Sequence, residues 1–227
     1  MLNYLQTIKN LTTSWISGKD EFSKVMHNIG LRQNLNIFDV GAHKGQTSSY
    51  FCKVFPNCFI YAFEPSSVLF KILEQNLKYR NNIECSNFAF GESEKNAYLT
   101  HPTSDLCGQV TSIEDLNSSR IKVKRIDKFC LKKDISQIDL LKIDVEGYEL
   151  SVLEGSGNLI QQNSIKAILL ECDFNKEDTQ HSYFFDIYEY LVPQNFSFHG
   201  LFDVVRYSPK YGIGFCNALF INRSAFN

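Results

Sequence analysis

The chain has no CxxC pair, no cluster of consecutive basic residues, no internal repeat and no low-complexity linker. Each absence removes a class of protein. Its seven cysteines (Cys52, Cys58, Cys85, Cys107, Cys130, Cys172 and Cys216) are odd in number and mostly sit in apolar runs. That usage argues against a structural zinc site or a disulfide framework and points to reduced, buried thiols in a cytoplasmic protein. Lys and Arg total 23 against 25 Asp and Glu, for a formal net charge of −2. Such a balance offers no electrostatic footprint for a nucleic-acid backbone, so no nucleic-acid partner is expected. No apolar stretch is long enough to cross a bilayer. The first twenty residues lack a basic segment followed by a long apolar run, so no secretory signal is expected either.

What is present is a chain of 227 residues, 44% hydrophobic, enough to bury one full core. Leu2, Leu5, Ile8, Leu11, Trp15 and Ile16 recur at helical spacing, and EFSKVMHNIG continues helically until Gly30. Residues 1–34 therefore read as a helical extension packed on a main domain of residues 35–227. From residue 35 short apolar runs alternate with helical stretches, the pattern of βα units and a parallel sheet with helices on both faces. NIFDV, CFIYAF, IECSNFAF, RIKVKRI, IDLLKID and IKAILLEC read as strands. GQVTSIEDLNSS reads as loop, YELSVLEGSGNLIQ as one helix, and SYFFDIYEYL as a helix that runs to Pro193. The tail differs: FSFHGLFDVVRYS and FCNALFIN are joined through the turn residues SPKYGIG and read as a terminal antiparallel hairpin.

Two acidic strand ends and a glycine turn suggest a nucleoside site. FDVGAHKGQT closes the first strand with Asp39 and a tight turn containing Gly41 and Gly45, where the backbone can approach a ligand and a helix N-terminus offers free N–H groups. Glu64 ends the second strand, where a carboxylate can accept hydrogen bonds from both ribose hydroxyls. A dinucleotide site calls for G-x-G-x-x-G, and His43 occupies the position of its middle glycine, which disfavours a pyrophosphate. S-adenosylmethionine has no phosphate and suits the looser G-x-x-x-G turn. Asp144 follows the strand LLKID, and Glu171 lies in ILLEC, so both belong to the carboxyl edge of the sheet, where ligands gather.

The succession DVGAHKGQT, AFEPS, SNFAFGE, RIDKF, IDLLKIDVEGYELSVLEG and ILLEC resembles the ordered motifs of the FkbM family of S-adenosylmethionine-dependent methyltransferases, over about residues 36–173. KIDVEG-x-E is the most distinctive of them, and His43 stands where the family commonly has Asn. The resemblance implies a Rossmann-like class I methyltransferase fold with a mostly parallel seven-stranded sheet. It implies that Gly41, Ala42 and Gly45 line the methionine end of the cofactor, with Asp39 and Gln46 or Thr47 in support. Glu64 would hold the ribose, and Asn87, Phe88 and Ala89 would flank the adenine. It also implies O-methylation of a small-molecule or glycan acceptor, such as a sugar of a surface glycan or a secondary metabolite.

Two arrangements of the acidic edge would activate a hydroxyl. In one, Asp144 or Glu146 is the base or hydroxyl anchor, with His181 or His43 as alternatives. In the other, Asp144 and Glu171, with or without Asp173, hold Mg²⁺, which lowers the hydroxyl's pKa. The residues themselves assign no metal ligand set. Glu149 reads as a helix-start carboxylate facing the dipole, and Lys142 as a strand residue paired with a nearby acid. A non-catalytic binding subunit of a glycan-assembly complex, built on the same fold, is the contrasting expectation.

Overall fold

In the computed structural model, which describes residues 21–100, 108–206 and 213–225, neighbouring residues of one strand feed two different cores. Strand β1 (Asn36–Val40) sends Ile37 to one face and Phe38 and Val40 to the other. Strand β8 (Ile138–Ile143) divides likewise: Leu140 goes with Ile37, and Leu141 and Ile143 go with Phe38. Every residue of β8 is buried, as expected of a central parallel strand covered on both sides.

The first face is covered by a helix over residues 21–28 (α1), α2 (Gln46–Val54) and α3 (Ser67–Leu77). Phe22 and Met26 of α1 are fully packed there, with the Phe22 ring against Phe51, Phe55 and Phe202. Residues 1–20 lie outside the described residues, so the proposed helical extension is described only from residue 21 on. The opposite face carries α4 (Ile126–Lys133), α5 (Glu149–Glu154), α6 (Gly157–Gln161) and α7 (Phe184–Leu191). The stretch YELSVLEGSGNLIQ is thus two short helices. They break at Gly155, where a Cβ would meet the Gly91 carbonyl oxygen at 2.2 Å.

Strands β2 (Phe59–Phe63), β3 (Ile83–Ser86), β9 (Ile165–Asp173), β10 (Phe196–Phe202) and β11 (Phe215–Asn222) complete a seven-stranded sheet in the order β10-β11-β9-β8-β1-β2-β3. All its pairs are parallel except those of β11, which runs antiparallel to both β9 and β10. The order reverses between β1 and β8, and that switch point opens a crevice at the carboxyl edge of the sheet.

A second, four-stranded sheet departs from the reading of the sequence. IECSNFAF is divided between β3 and a two-residue strand β4 (Ala89–Phe90), which leaves the main sheet to pair with β7 (Ser118–Lys124). Strand β7 also pairs with β5 (Lys95–Thr100), and β5 with β6 (Val110–Thr111), inside the stretch expected to be loop. The alternation of Ile121 and Val123 in β7 is real, but it buries them against Ala89, Ala97 and Leu99 and not against the main sheet. This small sheet overhangs the crevice, to which it contributes Leu99 and Val110.

Candidate active site

At the β1–α2 turn the backbone enters the left-handed region three times in five residues: Gly41 (φ 79°), His43 (φ 51°) and Gly45 (φ 87°). The main chain of Gly41 and Ala42 continues the ladder by donating to the Phe63 carbonyl at 3.0 and 2.9 Å. A Cβ on Gly41 would lie 1.8 Å from the Asp144 carbonyl oxygen, so the turn and the end of β8 are closed tightly enough to demand glycine. His43 donates its backbone N–H to Glu64 Oε2 at 2.9 Å, and Ser66 donates to Glu64 Oε1 at 2.8 Å. Glu64 is therefore held by two backbone donors with its remaining lone pairs toward a cavity. Burial pushes its carboxyl up to about 7 against the pull of those N–H groups.

The cavity is about 700 Å³ and runs along the carboxyl edge from Glu64 to Phe215. Gly41, Ala42, Gln46, Thr47, Phe88 and Ala89 line it together with Glu64. Asp144, Glu146, Glu171 and His181 line it as well, so the four acid–base candidates share one space with the nucleoside candidates. Asp39, Gly45 and Asn87 do not line it. Asp39 is fully buried beneath the turn, where it accepts the Ser48 hydroxyl at 2.6 Å and pairs with Lys142 Nζ at 3.0 Å. A Cβ on Gly45 would lie 3.0 Å from Leu73 and Leu77 of α3, and Asn87 is exposed, its amide donating to the Glu64 and Pro65 carbonyls. These three shape the site from behind: the first fixes a cation, the second a helix start, the third the Glu64 strand end.

Lys142 was expected to pair with an acid; it pairs with two and also donates to the Gly41 carbonyl at 2.9 Å. Asp144 Oδ2 lies 3.3 Å from its ammonium. Burial opposes that charge, but the Asp144 and Asp39 carboxylates outweigh it and raise the Lys142 pKa. On β9, Glu171 Oε2 lies 3.3 Å from His181 Nε2, while Asp178 Oδ1 lies 3.2 Å from His181 Nδ1. The imidazole stacks on the Phe215 ring at 4.8 Å between centroids. Burial works against a charge on His181, yet Glu171 and Asp178 push its pKa up to about 9. Burial and the nearby Asp144 charge raise Glu171 in turn. His43 moves the other way: burial and then the Lys44 charge lower it, so at neutral pH it is uncharged.

Glu149 is more than a helix-start carboxylate. It is fully buried and accepts from Val145 N and Gly147 N on one oxygen and from Ser182 N and Oγ on the other. It thereby holds the loop that carries Asp144 and Glu146, whose backbone is left-handed at Glu146 (φ 55°) and Gly147 (φ 92°). Sequence reasoning also missed Tyr148, Gln180 and Phe215 as lining residues. Tyr148 stands at the variable position of KIDVEG-x-E, and no local motif marks Gln180 or Phe215, which come to the cavity from segments remote from the glycine turn.

The metal arrangement finds no support in this geometry. Asp144 is bound to an ammonium, Glu171 to an imidazole, and Asp173 is absent from the cavity lining, so the three are not gathered as one ligand set. Among the described residues, the acidic and imidazole groups that do converge are Asp173, Asp178 and His181.

The seven-stranded order with a single antiparallel strand, the glycine turn and the acidic switch-point crevice define a Rossmann-like class I S-adenosylmethionine-dependent methyltransferase fold. Residues 39–199 match the methyltransferase FkbM domain, and the chain belongs to that family. Among curated proteins it is similar to hexuronic acid methyltransferase AglP of Haloferax volcanii, 28% identical over 145 residues that cover 60% of this chain and 54% of that protein. It is also similar to Methyltransferase 1 of Beauveria bassiana, 25% identical over 142 residues, 52% of this chain and 57% of that one. The chain thus spans somewhat over half the length of the curated relatives it matches. Among solved structures, the precorrin-6y C5,15-methyltransferase of Geobacter metallireducens superposes with a TM-score of 0.51 at 14% identity, covering 88% of this chain and 87% of that one. TrmK of M. capricolum, determined with S-adenosylhomocysteine, gives 0.50 at 13% identity, covering 88% and 68%. At these identities the likeness shows the fold alone.

Proposed function

We propose that the chain is an S-adenosylmethionine-dependent O-methyltransferase acting on a hydroxyl of a sugar or other biosynthetic small molecule. The observation that carries this reading is one cavity with a buried, doubly anchored Glu64 at one end and the Asp144–Glu171 pair at the other. The residues fit the cofactor: Glu64 presents free lone pairs to ribose hydroxyls, and Phe88 and Ala89 offer an apolar flank for adenine. Gly41, Ala42, Gln46 and Thr47 bring a bare turn and a helix start toward the methionine end. When bound, S-adenosylmethionine supplies an electrophilic methyl group whose C–S bond breaks with its electron pair left on sulfur.

The protein's share is to place the acceptor oxygen and take its proton. Asp144, steadied by Lys142, accepts a hydrogen bond from the acceptor hydroxyl. Glu171, whose raised pKa makes its ionised form the stronger proton acceptor, takes the proton as the oxygen lone pair forms the new O–C bond. His181 is a positioning residue: pushed up to about 9 it is already protonated at neutral pH, so it does not itself act as base, and its charge favours the ionised form of Glu171 against the burial and the Asp144 charge that raise that carboxyl. Glu146, in its left-handed turn, lines the same space. No step calls for a metal.

Two measurements test this. Glu64→Ala should weaken S-adenosylmethionine binding by about 10- to 100-fold in calorimetry while the circular dichroism stays that of a folded chain, the loss expected for hydrogen bonds to a charged group. Unchanged affinity would remove Glu64 from the site. Release of S-adenosylhomocysteine with a hydroxyl acceptor separates the enzyme from a binding subunit of a glycan-assembly complex, which would release none.

A further inference from the structure

A second, smaller cavity of about 30 Å³ lies behind the acidic pair and shares Thr47, Lys142, Asp144 and Glu171 with the large one. It is lined further by Asp203 and Asn217, joined by a 3.2 Å hydrogen bond from the Asn217 amide, and by the aromatic residues Phe22, Tyr50, Phe51 and Phe202. Asn217 is placed there by register, since β11 sets it directly opposite Glu171 of β9. The volume admits one water-sized group. With carboxylate, carboxamide and aromatic residues in its lining, the slot suits a single hydroxyl or hydroxymethyl arm of a molecule whose bulk lies in the large cavity.

The charges around this junction are unequal. Asp39, Asp144, Glu146, Glu171, Asp178 and Asp203 meet two cationic side chains, Lys142 and His181. Both cations are already bracketed by carboxylates, Lys142 by Asp39 and Asp144, and His181 by Glu171 and Asp178. His43, the other basic side chain among the described lining residues, is held neutral by burial. An acceptor bearing its own carboxylate or phosphate would therefore enter a space walled by carboxylates in which, among the described residues, each cationic side chain is already paired, which is costly.

We infer that the acceptor is an uncharged or cationic polyhydroxyl compound, read through one hydroxyl arm by Asn217 and Asp203, and that anionic sugars are excluded. This rests on the methyl-transfer reading above. It also separates this chain from its hexuronic acid methyltransferase relative on physical grounds, despite their shared family.

The test uses the full chain with methyl hexopyranosides of gluco, galacto and manno configuration, the matching 2-amino sugars and the matching hexuronosides. S-adenosylhomocysteine release should show kcat/KM at least tenfold higher for an uncharged or amino sugar than for its hexuronoside. Saturation-transfer NMR on protein loaded with S-adenosylhomocysteine should show the same order of binding without turnover. Asp203→Asn, which removes one negative charge, should narrow that ratio several-fold. Preference for a hexuronoside, or turnover of none of the uncharged and amino sugars while a catechol or phosphorylated sugar is methylated, overturns the inference and leaves methyl transfer standing. Absence of S-adenosylmethionine binding in calorimetry overturns both.

Discussion

The Ser182 hydroxyl donates to Glu149 Oε2 at 2.6 Å, and through that bond the loops that follow β8 and β9 share one buried carboxylate. Glu149 Oε1 takes the Val145 and Gly147 N–H groups, and the Ser182 carbonyl accepts from Asp173 N at 3.0 Å. Asp144 and His181 stand on the two loops so joined. Glu149→Ala would strand these donors in a dry interior and free a left-handed turn. The expected loss is about 2–4 kcal/mol in urea unfolding, together with a fall in kcat larger than any change in S-adenosylmethionine affinity. Equal stability of mutant and parent would show the carboxylate to be dispensable.

Lys142 is the counter-charge for two carboxylates at once. Lys142→Met leaves Asp39 buried and unpaired, a change expected to cost about 3–5 kcal/mol. Lys142→Met combined with Asp39→Asn should recover part of that loss, because the uncompensated charge is then removed. A double variant no more stable than the single one would mean the ammonium acts through packing.

Stability should depend on pH through His181. Its folded pKa, about 9, lies above the ordinary value of 6.5, so the folded state holds the proton more tightly than the unfolded chain. The stabilisation is complete below about pH 6.5 and disappears as the pH rises through about 9. The raised carboxyls of Glu171, about 8, and Glu64, about 7, act with the same sign, since they too bind protons more tightly when folded; their share is lost as the pH rises through those values, so that of Glu171 falls within the same window. The Tm should therefore fall by a few degrees between pH 6.5 and 9. His181→Gln should flatten this slope, and the same variant should shift the pH–rate profile by releasing Glu171 from its imidazolium partner. An identical slope in the variant would exclude His181 as the titrating group.

Methyl transfer should survive EDTA. With Asp144 tied to Lys142 and Glu171 to His181, the proposed O-methylation leaves activation of a hydroxyl to the carboxylates themselves. The check is S-adenosylhomocysteine release in millimolar chelator compared with added Mg²⁺. Loss in chelator with recovery on Mg²⁺ would restore the metal arrangement.

Much of the fold is local and could be read without coordinates. NIFDV is β1 residue for residue, and the direct joining of FSFHGLF to FCNALFIN foretells the antiparallel β10–β11 pair. The acids after β8, in KIDVEG, and in β9 fall on the carboxyl edge because strand direction follows from the βα alternation. The second sheet was not legible, since Ala89 and Phe90 pair with Val123 and Lys124 and nothing in SNFAF signals a change of sheet. A two-residue strand has too few residues to show a period.

Asp39 shows the division most clearly. Its place at the end of an apolar strand is a property of the sequence, and an acid beside a glycine turn reads naturally as a ligand contact. Whether it faces the cavity or the interior depends on Lys142, which arrives from a strand about a hundred positions further along the chain and draws the carboxylate inward to an ammonium that burial alone would make costly. Glu149 and His181 follow the same rule: residue type and spacing put chemistry at the sheet edge, while Ser182, Glu171, Asp178 and Phe215 decide its charge and orientation. Local propensity and hydrophobic period, which act between near neighbours, were enough to read the strands of the main sheet and the edge at which the acids gather. Which acids line the cavity and which are spent on a cation required the folded chain, because desolvation and pairing depend on groups that come together when it folds.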